Sequence, residues 1–131
     1  AIAVDGACSG NPGVMEYRGV LVATGYEVFH FGPVDGGTNN IAEFLAIVHA
    51  LAWLDKQNRP DIPIYSDSVS GMAWVRNRLA KTTLQRTEKT AYLLDLVARA
   101  TAWLRAHPTH NAVLKWNTPL WGEIPADFGR K

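Results

Sequence analysis

Four acids stand at places where a carboxylate calls for an explanation: Asp5, Glu43, Asp67 and Asp127. Asp5 closes the short apolar run of "AIAVDGACSGNPG", just before what reads as a glycine-rich turn. Asp67 closes a second such run in "IPIYSD". Glu43 sits among the apolar residues of "TNNIAEFLAIVHAL", where a lone carboxylate is costly. Asp127 follows Pro125-Ala126 close to the last residue. Two strands that exit toward one sheet edge bring Asp5 and Asp67 side by side, and a helix start packed over that edge adds Glu43. Carboxylates a few ångströms apart repel one another strongly. A hard divalent cation such as Mg²⁺ offsets that repulsion, because it takes oxygen ligands and keeps waters for a phosphate group. Paired ions ~3.5–4 Å apart are the basis of two-metal phosphodiester cleavage.

Each acid also has a local explanation. Asp5-Gly6 is a common turn pair. Asp67 and Ser68 are both good N-caps for a following helix. Glu43 lies three residues after Asn40, the spacing of a capping box. Asp127 suits the first turn of a terminal helix. The set of four carries more weight than any member.

Other chemistries fit less well. "GACSGNPG" lacks the Gly-Lys-Ser/Thr ending of a nucleotide P-loop and the spacing of a dinucleotide fingerprint. Cys8 with His30 or His49 has no local signature of a thiol catalyst. His49 falls inside a helical pattern and reads as structural. His107 and His110 flank Pro108 in a turn and read as exposed. Trp53, Trp74, Trp103, Trp116 and Trp121 read as core or rim packing rather than base-stacking platforms.

The elements that must hold these acids follow from the apolar spacing. Residues 1–5 read as a buried strand. Residues 17–24 and 26–34 read as a hairpin around Thr24-Gly25, closed by Gly32-Pro33. Residues 36–40 read as a loop. Ile41, Ala42, Phe44, Leu45, Ile47, Val48, Leu51, Ala52 and Leu54 fall at helical spacing, and the helix closes near residues 56–58, before Pro60. Residues 62–67 predict a strand, 68–77 a helix, 91–107 a second amphipathic helix and 111–116 a last strand. Residues 78–90 are basic and carry no assignment. Pro119 and Pro125 mark a closing loop. The order β-β-β-α-β-α-α-β is an α/β fold, a mixed sheet with helices packed on its faces.

Composition sets the outer bounds. A chain of 131 residues, 47% hydrophobic with five Trp, fits a single domain over 1–131 with a sizeable core. No apolar run approaches the ~20 residues of a membrane span, and no signal peptide is expected. Residue 1 is Ala, so the start is open to trimming. The single Cys8 excludes an internal disulfide framework and a cysteine-based zinc site, and points to a reducing, cytoplasmic setting. The net charge of +1 hides an uneven distribution. Residues 1–70 carry three cations against eight acids, a net of −5, and residues 71–105 carry seven against two, a net of +5. An acidic half beside a basic segment suits a protein that holds a cation in one place and a polyanion in another.

"VDGACSGNPG", "TNNIAEFLAIVHAL" and "YSDS" resemble the three leading motifs of type 1 ribonuclease H, in the family's order and at compatible spacing. The resemblance runs through nearly the whole chain, including the last acid in "EIPADFGRK". It implies the RNase H-like fold, a five-stranded mixed sheet flanked by helices. It also implies a metal-dependent endonuclease that cuts the RNA strand of an RNA/DNA hybrid, leaving a 5′-phosphate and a 3′-hydroxyl. Asp5, Glu43, Asp67 and Asp127 would then be the catalytic metal ligands for two Mg²⁺ ions, with Mn²⁺ able to substitute. Asn11 and Asn40 resemble residues that meet the RNA strand in the minor groove, and Thr38 and Asn39 would lie near a DNA-strand phosphate. Arg76, Arg78, Lys81, Arg86 and Lys89 resemble the substrate-binding protrusion of bacterial members.

Two departures stand out. The family often carries a His shortly before the last Asp, whereas "NTPLWGEIPAD" has none, and Glu123 is the candidate substitute. The chain ends four residues after Asp127, so the last helix is expected to be nearly absent. A monomer without an added N-terminal hybrid-binding domain is expected. The rival readings are an RNase H-fold nuclease acting on DNA, as transposases and resolvases do, and a non-catalytic hybrid-binding module.

Overall fold

The computed structural model describes residues 1–129. Its sheet has five strands: β1 (Ile2–Gly10), β2 (Gly13–Leu21), β3 (Glu27–Gly37), β4 (Ile64–Ser66) and β5 (Val113–Lys115). Four helices are interspersed: α1 (Asn39–Lys56), α2 (Val69–Asn77), α3 (Ala91–Ala106) and the single turn α4 (Thr118–Trp121). The spatial order is β3-β2-β1-β4-β5. The first three strands form an antiparallel meander, and β4 and β5 join in parallel. This is the mixed sheet and the element order that the apolar spacing predicts, with α4 added where a loop is expected.

Alternation along β1 divides the protein into two cores. Ile2 and Val4 face the larger one, built around Phe44, Ile47, Leu51 and Leu54 of α1. Ala3 faces a smaller one with Val20, Trp116, Ile124 and Ala126. Every residue of α1 from Ile41 to Val48 is buried, so this helix is enclosed rather than amphipathic over its first half. Each large side chain it buries contributes about 1.5–3 kcal/mol. Among the described residues, no helix is long and apolar enough to cross a membrane.

Three local expectations are corrected. β1 continues through the glycine-rich stretch to Gly10, so Asp5 lies inside a strand and the turn falls at Asn11-Pro12. Gly is a poor strand former, but the continuous pairing from Ile2↔Leu21 to Gly10↔Gly13 overrides that preference at Gly6 and Gly10. β3 likewise runs through Gly32-Pro33 to Gly37, and Pro is tolerated there because β3 is an edge strand. Finally, α1 starts inside the expected loop. Thr38 is its N-cap, accepting a hydrogen bond from the Ile41 amide at 3.2 Å, so Asn40 and Glu43 form no capping box.

Candidate active site

Parallel pairing of β1 with β4 places the first two acids. Its register runs Ile2↔Ile64 and Ala3↔Tyr65, and carrying it forward sets Asp67 beside Asp5. β4 ends at Ser66, so Asp67 leaves the sheet where Asp5 is still inside it. Asp67 does not cap α2. Ser68 does, accepting from the Gly71 amide at 2.9 Å.

Glu43 arrives from α1 because two glycines let the elements close up. A Cβ on Gly6 would lie 2.7 Å from the Ala42 Cβ and 2.8 Å from the Glu43 amide nitrogen. A Cβ on Gly71 would come within 3.2 Å of the Glu43 Cβ. Gly6 therefore serves the approach of α1 rather than that of a ligand.

Carboxylate oxygens of Asp5, Glu43 and Asp67 all lie within 4.8 Å of one another. Asp5 and Glu43 are buried, at 0% and 1% exposure, and Asp67 is half-buried. Such crowding in a low-dielectric setting is costly unless a cation offsets it. The donor set fits a hard divalent ion: all are carboxylate oxygens, with no thiolate or imidazole among them. Oxygens on one Mg²⁺, each at ~2.0–2.1 Å, stand at most ~4.2 Å apart, so small side-chain rotations complete the fit.

Asp127 is not part of that trio. It is half-buried in the segment after α4, where its amide donates to the Ile124 carbonyl at 2.9 Å. Arg18 holds the segment through the carbonyls of Ala126 and Asp127, each at 2.8 Å. Arg18 is the cross-strand partner of Asp5 in the β1–β2 ladder, so this anchor sits on the same sheet face as Asp5. Sequence reading overlooks Arg18, and no local signal marks it. Glu123 is exposed in the turn after α4.

The expected substrate contacts divide between two places. Asn11, at the β1–β2 turn, and Thr38 line a cavity of about 450 Å³ with Asp35, Thr87 and Lys89. Asn39 and Asn40 are the first two residues of α1 and are exposed. Lys89 Nζ pairs with Asp35 at 2.8 Å, and this contact holds the Asp35 carboxyl below its usual range. Arg86 pairs with Asp95 at 3.0 Å, and Lys81 is exposed. Arg76 and Arg78 belong elsewhere. They line a separate cavity of about 360 Å³ with His110 and Asn111, and Arg78 Nη2 donates to the Pro108 carbonyl at 2.9 Å.

His49 has the structural role expected of it. Its Nδ1 meets the Tyr17 hydroxyl at 2.8 Å, and its ring stacks on Phe29 at 4.1 Å between centroids. Burial lowers the His49 pKa and raises that of Tyr17.

Comparison with known proteins adds to this geometry. The RNase H family model matches residues 1–116. A ribonuclease H of Cupriavidus metallidurans is 36% identical over 121 residues, covering 81% of each chain. A ribonuclease H of Oleidesulfovibrio alaskensis is 31% identical over 128 residues, covering 83% of this chain and 79% of its own. Among solved structures, RNase H1 from the halophilic archaeon Halobacterium salinarum superimposes with a TM-score of 0.57 at 23% identity, over 91% of this chain and 86% of its own. LC11-RNase H1 in complex with an RNA/DNA hybrid does so at 0.54 and 19%, over 88% and 83%. These two share the fold with the present chain.

Proposed function

Because the chain belongs to the RNase H family, we propose that it hydrolyses the RNA strand of RNA/DNA hybrids, leaving a 5′-phosphate and a 3′-hydroxyl. The observation that carries this reading is the trio of carboxylates within 4.8 Å at the meeting of β1, β4 and α1. Asp5, Glu43 and Asp67 would hold the divalent ions, Mg²⁺ by preference with Mn²⁺ as a substitute, and Asp127 would complete the set. Bound there, such ions would supply activation of the attacking water and stabilisation of the leaving 3′-oxygen. Asp5, seated in a paired strand, fixes its ligand atoms more firmly than a loop residue could. Asn11 and Asn40 would meet the RNA strand in the minor groove, where 2′-hydroxyls are read, and Thr38 and Asn39 would face a DNA-strand phosphate. Lys81, Arg86 and Lys89 add affinity for the phosphate backbone. Glu123, exposed ahead of Asp127, is the candidate for proton transfer. The lone thiol of Cys8 suits a cytoplasmic setting. A relative of the same fold held with an RNA/DNA hybrid supports the choice of substrate.

The test is a cleavage assay on matched RNA/DNA, RNA/RNA and DNA/DNA duplexes with Mg²⁺ and with Mn²⁺. Cleavage confined to the RNA of the hybrid, and lost in Asp5→Asn, is the expected result. Preference for duplex DNA would make the protein a DNA nuclease of the same fold. Hybrid binding without turnover in either metal would make it a binding module.

A further inference from the structure

Asp67 and Asp127 both lie outside the strands and helices, but Asp67 sits between β4 and α2 whereas Asp127 follows only the single turn α4. The segment carrying Asp127 is fixed by few contacts. Ile124 and Ala126 are buried in the smaller core, and the Trp116 indole donates to the Gly122 carbonyl at 2.9 Å. Beyond those and the 2.9 Å bond from the Asp127 amide to the Ile124 carbonyl, the long-range grip on Asp127 is the Arg18 side chain. Nε donates to the Ala126 carbonyl and Nη2 to the Asp127 carbonyl, each at 2.8 Å. These carbonyls flank the Asp127 Cα on either side, so the planar fork fixes both peptide groups from which the side chain springs. The Arg18 guanidinium also lies 4.9 Å from the centroid of the Phe128 ring, the next residue along. Its own strand position is opposite Asp5.

We propose that Arg18 is a positioning residue that tethers the Asp127 segment beside Asp5 and thereby brings the fourth carboxylate to the metal site. The proposal rests on the nuclease reading above. A lysine cannot replace it, because an ammonium lacks the planar fork that reaches two carbonyls while covering a ring. The charge stays tolerable because Arg18 also faces Glu27 at 3.8 Å and keeps 28% of its side chain exposed.

The test uses the full chain with Arg18→Gln, Arg18→Lys, Asp127→Asn and the double variant Arg18→Gln/Asp127→Asn. Amide exchange is read residue by residue in metal-free protein, and Mn²⁺ binding by calorimetry with the metal alone. In Arg18→Gln the Asp127 amide should exchange about tenfold faster, and Mn²⁺ affinity should fall about tenfold. Arg18→Lys should follow Arg18→Gln. The double variant should bind Mn²⁺ no more weakly than Asp127→Asn alone, since one residue acts through the other. Wild-type exchange at Asp127 in Arg18→Gln, wild-type affinity in that variant, or additive losses in the double variant would overturn the proposal. If Arg18→Gln loses cooperative melting, Phe128→Leu leaves the sheet intact and is expected to move both readouts in the same direction. The nuclease reading fails separately, when the wild-type chain neither binds Mn²⁺ nor cleaves hybrid, and the exchange data still decide the tether.

Discussion

Removing one negative charge separates what the acid trio does for chemistry from what it does to the fold. Asp5→Asn should abolish Mg²⁺-dependent cleavage and yet raise the melting temperature in metal-free buffer, because repulsion among groups within 4.8 Å is relieved. A gain of about 1 kcal/mol, or a few degrees, is expected by calorimetry, and a lower melting temperature would count against the crowding. His49 gives a pH dependence of known sign. Burial lowers its pKa from the ordinary value of 6.5, so the fold prefers the neutral ring. Its contribution is fully present above about pH 6.5 and fades as pH falls toward the lowered value. Urea midpoints at about pH 7.5 and about pH 5 should therefore diverge in the wild type and less so in His49→Gln. The acids were legible as a set rather than singly, since each alone has a local explanation at a turn or a cap. Arg18 was not, because its role depends on a carbonyl pair more than a hundred positions away along the chain.

Glycine controls how closely the elements that carry these acids approach. Gly6→Ala would put a Cβ 2.7 Å from Ala42, so α1 must shift outward and take Glu43 with it. A destabilisation of about 1–3 kcal/mol is expected from denaturant melts, with weaker Mn²⁺ binding by calorimetry. Unchanged stability would mean that β1 and α1 are less closely packed than this contact requires. Thr38→Ala removes the α1 cap and should cost about 1 kcal/mol in the same melts. Helices α1 and α3 were legible because long apolar periodicity survives any tertiary context. The far halves of β1 and β3 were not. Their Gly and Pro residues read as breaks, and only pairing with β2 makes them strands. Residues 78–90 resisted assignment for a plain reason: they form neither helix nor strand.

At the scale of the whole molecule, the split between acidic and basic halves was visible in the sequence, but its effective strength was not. Two of the five basic residues expected to meet substrate are already paired, Arg86 with Asp95 and Lys89 with Asp35. These pairs are exposed and weak, so a polyanion can compete for them. Asp35→Asn should therefore release Lys89 and tighten hybrid binding about twofold to fivefold at low salt, with the gain vanishing as salt rises. Anisotropy titrations across a salt series would show it, and a gain that persists at high salt would point to another cause. The sheet order has a consequence for how the protein comes into being. Ile2 must find Ile64 before Asp5 and Asp67 can meet, with the whole meander and α1 between them. A growing polypeptide on the ribosome thus carries the first motif long before any pocket exists. Nicking the loop between α1 and β4 would likewise leave two fragments, each with an incomplete set of ligands, so catalytic competence arises only with the finished molecule.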